Sequence, residues 1–114
     1  MEGWSLATAL LVRTTSLRIG HLVLNNNLRH PALLAKMATT LDVLSAGRLD
    51  IGLGSGSYAA EHLEGGFPWG SFAERSERLA EALEILTRMF AQERTTFQGR
   101  HYQVKNLPNL PRPV

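Results

Sequence analysis

Two stretches of this sequence have residue types able to hold a ligand: Asn25-Asn26-Asn27, and the run Gly52-Leu53-Gly54-Ser55-Gly56-Ser57. Glycine has no Cβ, so a glycine-rich run lets backbone approach a ligand closely and turn successive N–H groups toward an anion. An asparagine amide both donates and accepts hydrogen bonds, which suits the edge of a heteroaromatic ring. Each stretch also has a plainer reading. Glycines make a tight strand-to-loop turn, and asparagines end a strand and cap the helix that follows. Gly54, Gly56 and Ala59 satisfy the G-x-G-x-x-A form of the dinucleotide fingerprint. That site also needs a strand ending in an acid about 20 residues further on. Residues 74–84 read as a helix instead, so a Rossmann site is disfavoured.

Other chemistries find less support. His21, His30, His62 and His101 lack zinc-ligand spacing, and Glu61-His62 is not part of H-E-x-x-H, so the histidines read as structural or surface residues and no metal is expected. Ser55 and Ser57 are not framed as a G-x-S-x-G elbow, which disfavours nucleophilic hydrolysis. No pair of carboxylates is spaced for acid–base work, and no residue is named as catalytic. Trp4, Tyr58, Phe67 and Trp69 are able to stack on a cofactor, though packing is the commoner use of aromatic side chains.

The elements that must position these stretches follow from periodicity. Trp4 to Thr14, with Leu6, Leu10 and Leu11, reads as the tail of a helix ending in Thr14-Thr15-Ser16. Arg18 to Leu24 is a nearly continuous apolar run, as in a strand buried on both faces of a parallel sheet, and the asparagines end it. Pro31 opens a helix carrying Leu33, Leu34, Met37, Leu41 and Leu44, with Gly47 as a left-handed stop. Leu49 to Leu53 is a second short strand running into the glycine-rich loop. Ser71 and Glu74 fit a capping box. The helix they open has Leu79, Leu83, Leu86 and Phe90 on one face, with Glu74–Arg78 and Glu84–Arg88 as i,i+4 pairs on the other. Thr95 to Val104 reads as a hairpin around Gln98-Gly99-Arg100, and Asn106 to Val114, with three prolines, as a connector. Helices alternating with strands imply a parallel α/β sheet. Both ligand-capable stretches then leave the carboxyl ends of strands, where such folds place their ligands.

Composition bounds the rest. The 114 residues, 44% hydrophobic and 19% charged, suit a single globular domain over 1–114. Twelve basic residues against ten acidic ones are scattered along the chain, so the formal charge of +2 points to no nucleic acid. With no cysteine there is neither a disulfide framework nor a thiolate metal site. No segment approaches the roughly 20 apolar residues that cross a bilayer. Leu6 to Val12 is short and follows Glu2 rather than a basic leader, so no signal peptide is expected and a cytoplasmic protein is read.

The run Arg18-Ile-Gly-His-Leu-Val-Leu-Asn-Asn-Asn-Leu-Arg-His-Pro-Ala-Leu-Leu-Ala-Lys resembles the third strand and following helix of the bacterial luciferase-like superfamily. Asp42-Val-Leu-Ser-Ala-Gly-Arg-Leu-Asp-Ile-Gly-Leu-Gly-Ser-Gly is similar to its fourth strand, and Arg75 to Leu86 with Phe97-Gln-Gly-Arg-His-Tyr to its next helix and hairpin. The resemblance implies a (β/α)₈ barrel whose members use reduced flavin mononucleotide (FMN) with oxygen, or the deazaflavin coenzyme F-420 as hydride carrier. It places a cis peptide at Leu22-Val23, a cofactor contact at Asn25, and a loop beside the ring at Gly54, Ser55, Gly56 and Ser57. Two positions depart from the family: luciferases carry arginine where this chain has Ser55, and some deazaflavin enzymes carry glutamate at Ser57. A complete barrel needs about 250 residues. The expectation is therefore a partial barrel, roughly strands three and four with flanking helices, from an oxidoreductase or monooxygenase acting on a small molecule and inactive as an isolated chain. The rival reading is a non-catalytic α/β binding or assembly module that pairs with a partner chain, and association with like or unlike chains is left open.

Overall fold

The computed structural model describes residues 1–113. Val114, last residue of the expected connector, lies outside them. Helix α1 is Gly3–Arg13, a full three turns where the sequence indicated only a tail. Its N-cap is Glu2, whose carboxylate accepts from the backbone N–H of Ser5 (2.7 Å) and Trp4 (3.0 Å). These two bonds lead the causes that hold the Glu2 pKa down from 4.5 to about 2. Strand β1 is Ile19–Asn25, and a 3₁₀ turn, Asn26–Leu28, carries the chain off it. Helix α2, Pro31–Ser45, begins with proline at its first turn. The left-handed stop begins one residue earlier than expected, at Ala46 (φ 55°), and continues through Gly47 (φ 77°).

Strand β2, Leu49–Gly54, lies parallel to β1. The sequence did not indicate helix α3, Ala59–Gly65, which has no side-chain N-cap and is too short to show a full apolar period. Helix α4, Phe72–Ala91, starts at the expected capping box, with Ser71 and Glu74 bonded reciprocally. Strands β3, Arg94–Gln98, and β4, Gln103–Pro108, form an antiparallel hairpin.

In the β1–β2 pair Ile19 faces Leu49, His21 faces Ile51, and Asn25 faces Gly54. The register breaks between His21 and Leu24, and the peptide bond between Leu22 and Val23 within that break is cis, as the resemblance implied. One face of the pair packs on the helices: Leu24, Ile19, Leu49, Ile51 and Leu53 join Leu11, Leu34, Ala35, Ala38, Leu41, Ile85 and Met89 in the core. The other face is open, which corrects the expectation of a strand covered on both sides: Leu22 is 100% exposed and Val23 53%. Among the described residues each strand is paired along one edge only, so nothing covers the surface that a closed barrel would turn inward.

Helix α4 buries a stripe shifted from the expected one, with Leu86 common to both. Ala82, Ile85, Leu86 and Met89 face the core, while Leu83 is 47% exposed and Leu79 and Phe90 are half-buried. Both stripes have helical spacing, and the buried one joins Ala35 and Ala38 of α2 in the core. Glu84 pairs with Arg88 at 2.7 Å as expected, whereas Glu74 bonds Ser71 in the cap. The hairpin is tied to α4 by Glu81, whose carboxylate accepts from the backbone N–H of Arg100 (2.8 Å), Tyr102 (2.9 Å) and His101 (3.0 Å). Burial alone would raise the Glu81 pKa, but the three donors together hold it below the usual carboxylate value.

Candidate functional site

At the carboxyl ends of β1 and β2 a cleft of about 290 Å³ is lined by Val23, Leu24 and Asn25 from β1, by Gly54, Ser55, Gly56, Ser57 and Tyr58 from β2 and the loop beyond it, and by Glu61 from α3. Six of the seven residues expected to meet a cofactor line this one cleft. Leu22 does not, and its side chain lies wholly in solvent.

Parallel pairing sends both strand ends the same way, and side-chain bonds then fasten the two loops together. Asn27 Nδ2 donates to the Ser55 carbonyl (2.8 Å) and to Asn25 Oδ1 (3.1 Å). The Asn27 backbone N–H donates to the same Asn25 oxygen at 3.0 Å. The three asparagines therefore divide their roles. Asn25 lines the cleft, Asn27 clamps the glycine loop, and Asn26 is buried and donates to the Tyr102 hydroxyl (3.3 Å) in the core.

The glycines answer first to β1. A Cβ at Gly54 would sit 2.7 Å from Val23 Cγ2, and one at Gly52 would collide with the His21 carbonyl, so β2 stays bare where the break in β1 bulges onto it. Gly56 has φ +85°, and a Cβ there would sit 3.0 Å from both Asn25 Oδ1 and Asn27 Nδ2. The loop is thus bare to admit neighbouring strand and amides, and the flat surface facing the cleft is a consequence of that packing.

Asn25 Nδ2 donates one hydrogen to His62 Nε2 at 3.1 Å, and the other has no partner among the described residues. Among the described residues the hydroxyls of Ser55 and Ser57 make no hydrogen bond. The cleft holds no lysine or arginine; its ionisable side chains are Tyr58, which is largely exposed, and Glu61. Any anionic group bound there would meet backbone N–H and hydroxyl groups rather than a cation.

Sequence reasoning passed over Glu61 and set His62 aside as a structural or surface histidine, because neither belongs to a known ligand spacing. The signal that was present is their place on the first helix turn after the glycine loop. The remaining aromatics pack. Trp4 stacks on His21 (centroids 5.3 Å apart), and Trp69 lies between His62 (4.5 Å) and the Arg75 guanidinium (3.8 Å). A hollow of about 340 Å³ near the amino ends of the strands is lined by Arg18 and Asp50 among others. Those two charges bond each other at 2.7 Å, an arrangement that lowers the Asp50 pKa through the Arg18 hydrogen bond and occupies the groups a ligand would need.

The model of the luciferase-like monooxygenase family matches residues 1–114. This chain belongs to that family. An F420-dependent glucose-6-phosphate dehydrogenase of Microbacterium testaceum is 38% identical over 106 residues, covering 92% of this chain and 31% of that protein. Among solved structures, the monooxygenase RslO1 from Streptomyces bottropensis superposes with a TM-score of 0.85 at 27% identity, covering 96% of this chain and 32% of that one. An F420-dependent secondary alcohol dehydrogenase in complex with an F420-acetone adduct does so with a TM-score of 0.87 at 23% identity, covering 99% and 34%, a likeness of fold. The chain thus spans about a third of the length of the relatives it matches, consistent with the two-stranded part of a luciferase-like barrel seen here. No helix among the described residues is long and apolar enough to cross a membrane.

Proposed function

We propose that the cleft receives the tricyclic ring of reduced FMN or of coenzyme F-420, and that the chain contributes this wall to an oxidoreductase barrel acting on a small-molecule substrate. The observation that carries the reading is the juxtaposition at the strand ends: the half-exposed apolar side chain of Val23, lying over bare Gly54, stands beside the one spare N–H of Asn25. A flat heteroaromatic ring needs that pairing, an apolar face to lie on and a donor at its edge. When bound, the ring supplies the hydride or oxygen chemistry. This chain's residues bind and orient it: Val23 excludes water from one face, Asn25 meets an edge heteroatom, and Ser55 and Ser57 offer hydroxyls to the groups attached to the ring. No proton-transfer residue is assigned, consistent with serine at both positions where the family carries arginine or glutamate. The chain's place in a cytoplasmic enzyme is part of the same proposal.

The test is to titrate the ¹⁵N-labelled chain with FMN and with F-420 and follow backbone amide shifts. With one wall of the pocket and no cationic phosphate contact, binding is expected in the range of about 0.1–1 mM, or about −5.5 to −4 kcal/mol. The shifts should centre on Asn25 and Gly54 to Ser57. Shifts confined to the Arg18–Asp50 hollow, or none with either ring, would sink the reading.

A further inference from the structure

His62 lies just behind the cleft and has no exposed surface. Both ring nitrogens are engaged, Nε2 with Asn25 Nδ2 at 3.1 Å and Nδ1 with the Tyr58 carbonyl oxygen at 3.3 Å. The partners fix its protonation. Asn25 Oδ1 already accepts from the backbone N–H and the side-chain amide of Asn27, so the group Asn25 turns to His62 is its NH₂, which only donates. Nε2 must accept and is bare. The Tyr58 carbonyl only accepts, so Nδ1 carries the proton. Of the three forms of imidazole, the neutral Nδ1–H tautomer alone satisfies both partners.

We infer that His62 is a positioning residue for the cleft: the Asn27 donors fix the Asn25 oxygen, and His62 takes one of the two Nδ2 hydrogens, so that a single defined N–H is offered to the ring. This rests on the cofactor reading above and names the device behind its key donor. Removing the acceptor would leave the amide held through Oδ1 alone, by the two Asn27 donors, with no fixed acceptor on Nδ2, so that the N–H offered at the cleft wall would be less sharply aimed. The surroundings argue against simple space-filling. His62 packs against Trp69 and edge-on to Phe67 (6.4 Å), and Arg75 lies on Trp69 with Nη1 donating to the Gly70 carbonyl at 2.8 Å. A phenylalanine would fill that aromatic box with no polar group to desolvate. What histidine adds is one acceptor for Asn25 and one donor for Tyr58, which joins the strand end, the loop and α3 through one ring.

The test uses the 114-residue chain. Long-range ¹H–¹⁵N spectra of the imidazoles should show His62 with Nδ1 protonated and Nε2 bare at pH 7. In His62→Phe the two Asn25 side-chain amide hydrogens should exchange with solvent faster, and ring binding should weaken about fivefold to tenfold, the worth of one hydrogen bond. His62→Gln, whose Oε1 restores an acceptor, should bring both measurements back toward those of the unsubstituted chain. An Nε2–H or cationic His62, or an unchanged Asn25 amide in His62→Phe, overturns the inference and leaves the cofactor reading standing. The expected spectra with neither FMN nor F-420 bound overturn the cofactor reading and the role of His62 within it. If His62→Phe does not fold, the tautomer in the unsubstituted chain and the His62→Gln amide spectrum decide.

Discussion

Alanine at Gly56 and alanine at Gly66 probe the same backbone requirement in two surroundings, and the difference between them isolates the contact that builds the cleft. Both residues have positive φ, +85° and +73°. An alanine in the left-handed region costs about 1–2 kcal/mol. Alanine also narrows the unfolded ensemble, which offsets about 0.4–1 kcal/mol of that cost. A Cβ at Gly66 would meet nothing within 4 Å, so Gly66→Ala should lose at most about 1.5 kcal/mol. At Gly56 the same atom would stand 3.0 Å from the Asn25 and Asn27 amides, which must move by a few tenths of an ångström. That movement strains the Asn27 bonds to Ser55 and Asn25, each worth about 1 kcal/mol. Gly56→Ala should therefore be less stable than Gly66→Ala by about 1–2 kcal/mol. Urea unfolding of both variants, followed by far-ultraviolet circular dichroism at concentrations where light scattering shows no aggregation, gives the two losses. Equal losses, with the Asn27 side-chain amide resonances unmoved in Gly56→Ala, would refute the claim that the asparagines and the glycine loop are one packed unit.

Three further outcomes follow from the same contacts. Glu81→Ala removes one acceptor from three backbone N–H groups and should cost about 2 kcal/mol; hydrogen exchange at Arg100 to Tyr102 should rise while amides in the middle of α2 stay protected. The Glu2 carboxyl is ionised more readily in the folded chain than in the unfolded one, so its cap contributes fully above about pH 4.5 and is lost as pH falls toward about 2. Because that side chain is half exposed, solvent limits the contribution to under about 1 kcal/mol; a ¹³C titration should place the Glu2 midpoint below the usual glutamate value of 4.5, and a midpoint at or above 4.5 would refute the cap. The open face of β1 should make the isolated chain self-associate, and Leu22→Lys, which charges its most exposed apolar side chain, should raise the concentration at which light scattering increases; no change would mean that this face is not the sticky surface.

Local pattern carried much of the architecture. The run Arg18 to Leu24, proline at position 31, the Ser71–Glu74 box and the paired glutamate and arginine at 84 and 88 each act within a few residues, and helix, strand and cap were legible from them. So was the meeting of the two ligand-capable stretches, because parallel strands must bring their carboxyl ends together. Other features depend on partners distant in the sequence. Which stripe of α4 is buried depends on the alanines of α2 it lies against, and periodicity alone fits two stripes equally. The reason for Gly52 and Gly54 is the bulge of β1, thirty residues away, rather than a ligand. His62 is legible only in three dimensions: a histidine's spacing says nothing when its partners are an amide 37 residues earlier and a carbonyl on its own loop. The open face of β1 is likewise set by how many strands stand beside it, a property of the assembled sheet and of no single segment. Short-range chemistry chooses the elements, whereas burial and hydrogen-bond pairing are settled only when those elements meet.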